Sequence, residues 1–149
     1  MTRGKFGLAL FVCAVIGARA EAQEAPIGFI KTLTGHATVT HDGHGVSAVV
    51  TMPVFQTDIV ETAGDGALGI TFRDDTRVAI GPGSRLELAR FVFKPADQQY
   101  GFVLRLLYGS LEYLSGLTAK LDPNAMSIET PSFTVAVRGT RFVLRSYRY

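Results

Sequence analysis

Turn-forming residues break this chain at short intervals: Gly35, Asp42-Gly43, Gly64-Asp65-Gly66, Asp74-Asp75, Gly81-Pro82-Gly83, Pro95-Ala96-Asp97, Gly109-Ser110, Ser115-Gly116, Asp122-Pro123-Asn124 and Gly139. Segments that short suit strands and leave little room for helices. Between the breaks the apolar residues repeat every second position. Leu68, Ile70 and Phe72 alternate with Gly69, Thr71 and Arg73, Val78 and Ile80 with Arg77 and Ala79, and Leu86 and Leu88 with Arg85 and Glu87. That period marks half-buried strands. The expectation is a single all-β domain, built as a roll, a sandwich or a short solenoid-like stack.

Two places test the pattern. Over Gln98 to Leu114, Phe102, Leu106 and Tyr113 roughly fit helical spacing, yet Gly101, Gly109 and the run Val103-Leu104-Arg105-Leu106-Leu107 favour two strands. Over Glu129 to Leu144, two alternating strands flank an Arg138-Gly139-Thr140 turn. Phe133, Val135 and Val137 share one face there, Thr134, Ala136 and Arg138 the other, and the pair is expected to bury one side.

The first residues read as an address. Arg3 and Lys5 precede the uncharged apolar run Phe6 to Ala18, and small residues follow at Ala18, Ala20 and Ala22. This is the form of a secretory signal peptide over residues 1–22, cut after Ala22 in preference to Ala20. The run is shorter than the roughly 20 apolar residues that a membrane-spanning helix needs. Cys13 follows the bulky Phe11 and Val12, unlike the cysteine of a lipoprotein. Residues 23–149 then form the domain, periplasmic or secreted, with no transmembrane span.

Composition narrows the function classes. The chain has 15 Lys and Arg against 13 Asp and Glu, and removing three basic residues (Arg3, Lys5, Arg19) and one acid (Glu21) leaves a neutral domain with twelve of each. A neutral exported domain gives no support to nucleic-acid binding, which needs a clustered positive surface. The domain also has no cysteine, so its core alone must hold it; a chain of this size buries about two thirds of its unfolded surface. The apolar share of 47% against 19% charged residues suits an ordered globule.

No catalytic constellation emerges. His36, His41 and His44, with Asp42, lie close in sequence, but His36 and His41 point to opposite faces of one strand, and only His41 and His44 can meet, across the Asp42-Gly43 hairpin. A closed metal site needs about four ligands, so no metal or other cofactor is expected. Ser84, Ser110 and Ser132 have no histidine nearby in sequence and no nucleophile-elbow context, and Asp74 and Asp75 sit side by side on a turn. Arg138 is expected to brace the closing strand through a bidentate pair with Asp58 or Glu61. Tyr100, Tyr108, Tyr113, Tyr147 and Tyr149 offer amphipathic rings that would stack on glycan or protein if they shared a face. The chain end near Tyr147 to Tyr149 is a candidate edge strand for β-addition.

Five marks follow in order: Asp58 with Thr62; Phe72 with Asp74, Asp75 and Thr76; Ser84 with Leu86; Gly109-Ser110-Leu111; and Thr130-Pro131 running to Val137-Arg138-Gly139-Thr140 and Phe142. Together they resemble the FecR domain family. Asp75 stands where the family usually has Gly, so that turn must hold an Asp in a left-handed conformation. The resemblance covers most of the domain and implies an all-β, non-enzymatic module of envelope signalling, in which these motif residues serve structure or interaction. In the regulators that name the family, the domain follows a cytoplasmic anti-sigma segment and one membrane span. Here a signal peptide takes that place, which implies a stand-alone exported domain with an envelope protein, or alternatively cell-wall glycan, as partner. The closing motif lies close to Tyr149, where many family members continue with further strands, so two readings stand, a minimal domain or a shortened one with an open edge.

Overall fold

The structure is a computed structural model that describes residues 23–148. The signal-peptide reading of residues 1–22, its cut after Ala22, and Tyr149 lie outside the described residues.

The chain forms strands β1 (Gly28–Thr34), β2 (Ala37–His41), β3 (His44–Ser47), β4 (Pro53–Val54), β5 (Ile59–Thr62), β6 (Ala67–Phe72), β7 (Arg77–Ile80) and β8 (Arg85–Lys94). A single 3-10 turn at Pro95–Asp97 then leads into β9 (Gln99–Leu114), the short helix α1 (Leu117–Leu121), β10 (Met126–Glu129), β11 (Thr134–Ala136) and β12 (Arg141–Ser146). The domain is therefore all-β, apart from the five-residue α1, which the turn signals at Ser115-Gly116 and Asp122-Pro123 had hidden.

All twelve strands belong to one sheet that curls through β9. One half carries β4, β1, β6 and β7 in that order, with β7 and β12 on β9's last residues; the other carries β3, β2, β5 and β8, with β8 and β10 on its first residues. Only β10 pairs in parallel with β9. Of the three architectures open to the sequence, this is a roll. The halves face each other across one core cluster that includes Ile30, Ile70, Val60, Leu104 and Ile128. Phe72, Phe91 and Phe102 meet near its centre, the rings of Phe72 and Phe102 edge-on at 4.7 Å.

β9 is one strand of 16 residues where two were expected. Its inward residues are Phe102, Leu104 and Leu106 at first, then Leu111 and Tyr113, so even positions give way to odd ones. A bulge causes the switch: Tyr108 faces Arg85 and Leu106 faces Leu86, which leaves Leu107 extra. Gly109 follows at φ 100° and turns the strand from one half to the other. A Cβ at Gly109 would collide with Ser84. The switch in parity produced the near-helical spacing seen in the sequence.

The closing segment is also arranged differently from the expected strand pair. β11 pairs with β10 in one half, and β12 pairs with β9 in the other, so Arg138-Gly139-Thr140 is a corner between half-sheets and not a hairpin turn. Val137 alone of its apolar residues is fully buried, while Phe133 is exposed.

Candidate interaction surface

Of the motif residues, those from Asp58 to Gly109 gather in three polar knots at the ends of strands. In the first, Asp58 is buried before β5 and accepts hydrogen bonds from the Phe55 N–H at 2.8 Å and from His41 Nδ1 at 2.6 Å. In the second, the Thr62 hydroxyl donates to the Gly81 carbonyl at 2.7 Å and accepts from the Ser84 N–H at 3.0 Å. The Ser84 hydroxyl in turn accepts from the Ser110 N–H at 3.0 Å, which ties β5, β8 and the bend of β9 together. The third knot surrounds Asp74. Its fully buried carboxylate accepts from the Thr76 N–H (3.1 Å), the Thr76 hydroxyl (2.8 Å) and the Thr118 N–H (3.2 Å). Gly116 seats against this turn so closely that a Cβ would strike the Thr76 nitrogen and the Asp74 carbonyl. Asp75 takes φ 64°, the left-handed conformation an Asp tolerates.

Beside the third knot, Tyr113 is fully buried and stacks on Phe142, ring centroids 5.0 Å apart. Burial, with the charge of Asp74 adding, pushes its hydroxyl up to about 12. Its hydroxyl and that of Thr118 have no hydrogen-bond partner among the described residues.

The three histidines separate. His36 turns to Asp65 at 2.8 Å, and that hydrogen bond holds the Asp65 carboxyl below its usual range. His41 leans on the Phe55 ring and on Asp58; the Asp58 hydrogen bond raises its pKa, burial opposes it, and the charges of Asp58 and Asp42 add to the rise. His44 faces His41 across the hairpin but is exposed. Among the described residues no group of three or more His, Cys, Asp and Glu could hold a metal ion. The Ser84 hydroxyl accepts the Ser110 N–H and Ser132 donates its backbone N–H to Thr130 in an exposed turn, and among the described residues none of the three serines shares a hydrogen bond with a histidine.

The outward faces of the two halves differ in character. On the β5–β8–β9–β10 face, Arg105 bridges Glu87 (3.0 Å) and Glu129 (2.9 Å), which raises its pKa further. There, Arg85 and the Tyr108 hydroxyl both hold Glu61, at 3.1 and 2.7 Å. Every charge in that ladder has a partner of opposite sign. On the β1–β6–β7–β9–β12 face the small residues Gly69 and Ala79 leave a trough of about 650 Å³, walled by Lys31, Arg77, Leu114, Glu112 and Arg141. Arg141 pairs with Glu112.

Several expectations for the closing segment change. Glu61 and Asp58, the expected partners of Arg138, are taken by Arg85, Tyr108 and His41, and Arg138 is exposed with no ion pair among the described residues. A Cβ on Gly139 would meet nothing within 4 Å, so the corner does not require glycine. Thr130 does have a local duty, accepting the Phe133 N–H at 3.1 Å and donating to the Phe133 carbonyl. Pro131 and Thr140 are exposed, and Phe142 packs inward against the core. The four described tyrosines do not gather on one face: Tyr113 is core, Tyr100 lies near Phe93, and Tyr108 and Tyr147 line a hollow of about 360 Å³, where Arg148 sits over the Tyr108 ring.

A family model described as FecR protein matches residues 58–148. The chain belongs to the FecR family. No curated protein and no solved structure matches it. The FecR match begins at Asp58 of the first knot, so β1 to β4 precede it, although β1 pairs with β6 and β2 with β5 inside it. FecR domains are associated with envelope signalling and are regulatory domains, not enzymes. Among the described residues no helix is long and apolar enough to cross a membrane.

Proposed function

We propose that this FecR domain is exported by the leader read in residues 1–22 and acts in the envelope as a non-enzymatic protein-binding module of a signalling system. One observation carries the reading. The motif's polar groups on Asp58, Thr62, Asp74 and Ser84 are all consumed in holding strand ends, so what the domain offers outward is its faces and edges. A scaffold of this kind suits docking and not turnover. Crosslinking in intact cells, followed by identification of the linked species, tests it. A discrete envelope protein supports the reading, whereas retention on insoluble peptidoglycan alone replaces it with a glycan-binding module. Sequencing the N-terminus of the envelope form tests export: a start at Gln23 is expected, and a chain still beginning at Met1 overturns it.

A further inference from the structure

We infer that the free edge of β12 takes up an extended, acidic segment of a partner protein by strand addition; this rests on the protein-binding reading above. β12 pairs with β9 along one side over all six of its residues and has no strand on its other side among the described residues. Such an edge presents a row of unpaired backbone N–H and C=O groups. The other open edges are poorer templates: β3 has four residues, β11 three, and β4 two, one of them Pro53.

Charge names the partner. Residues 130–148 contain Arg138, Arg141, Arg145 and Arg148 and no acid, while the rest of the domain sets eight basic residues against its twelve acidic ones. The neutral domain is thus split into a basic closing segment and an acidic remainder. Along β12, Arg141, Val143 and Arg145 are exposed, and Phe142 and Leu144 pack against the core. Val143 is 70% exposed. Arg141 is already engaged by Glu112, whereas Arg145 lies opposite Ser110 and has no ion pair among the described residues. Opposite charges directly across two strands attract, and like charges repel. A complementary strand therefore carries acid, apolar and acid residues at alternate positions, facing Arg141, Val143 and Arg145 in turn.

Charge disfavours two other occupants. A second copy added antiparallel about Val143 would set Arg141 against Arg145 twice. The chain's own first 22 residues bring Arg3, Lys5 and Arg19 against a single acid, Glu21.

The test titrates the domain with a synthetic peptide repeating Glu-Thr-Val-Thr and reads affinity together with amide hydrogen exchange. The expected result is saturable binding, slowed exchange within residues 141–146, and no binding of a Lys-Thr-Val-Thr peptide. Arg145→Glu should weaken the complex about tenfold, while Lys94→Glu, the same charge change at an exposed site on another strand, should shift it less than about twofold. Equal weakening by both variants, or protection confined to β3 or β11, overturns the inference. Binding of a polyanionic glycan without protection of β12 also overturns it. Capture from envelope extract separates the two levels. Capture by both the unaltered and the Arg145→Glu domain overturns the edge proposal and leaves the protein-binding reading standing. Capture by neither overturns both. Capture that depends on Arg145 and is competed by the acidic peptide supports both.

Discussion

A buried carboxylate that accepts three hydrogen bonds cannot be removed without leaving donors bare, and Asp74 holds the Thr76 and Thr118 backbone N–H groups out of water. Asp74→Ala is expected to lower stability by about 3 kcal/mol, and Asp74→Asn, which keeps one acceptor oxygen, by less; the urea midpoint measures both. His41 makes a contribution that depends on pH. Its folded pKa lies above the ordinary 6.5 because Asp58 holds the imidazolium. Its stabilising contribution is therefore fully present below about pH 6.5 and is lost as pH rises through the raised folded value. The stability gap between the unaltered domain and His41→Gln should thus narrow from pH 5.5 to pH 8.5, and a gap that widens would contradict the pair. Neither pairing was legible beforehand. Histidines clustered in sequence suggested one another as neighbours, but two of the three take a carboxylate from a distant loop, 17 residues away for His41 and 29 for His36.

At the scale of elements, two glycines that look alike in sequence have opposite standing. Gly109 combines φ 100° with contact against Ser84, so Gly109→Ala should cost about 2 to 4 kcal/mol. Gly139 has open space and an ordinary φ, and Gly139→Ala should stay within about 0.5 kcal/mol. Thermal melting of the two variants checks the contrast. What the sequence disclosed follows the same division. The alternation of β6 and β7 and the hairpin turns could be read directly, because those strands pair with near neighbours and keep one inward face. β9 misled because its inward face changes at the Leu107 bulge, an event set by register against β8 and invisible in one strand alone. β11 and β12 are short and adjacent in sequence, the pattern of a hairpin, yet β11 pairs with β10 and β12 with β9, with Val137 and Phe142 packed against the core. The brace expected at Arg138 failed because nearer groups already satisfied both candidate carboxylates.

For the whole molecule, the matched span and the folding unit differ. Residues before Asp58 contribute Ile27, Ile30, Val39 and Val54 to the core, all at most 5% exposed, and supply the neighbours of β6 and β5. Burying one such side chain is worth about 1.5 to 3 kcal/mol, so their joint loss rivals the 5 to about 15 kcal/mol that a domain commands. A chain limited to residues 58–148 is expected to show no cooperative melting transition, while residues 23–149 should melt in one step. The shared strand has a consequence for how such a module transmits anything. Both halves hang on the unbroken backbone of β9, about 50 Å in contour, which bends between them at the Leu107 bulge and Gly109. A pull on either end must therefore pass through that bend, where β8 gives way to β7 as the partner of β9.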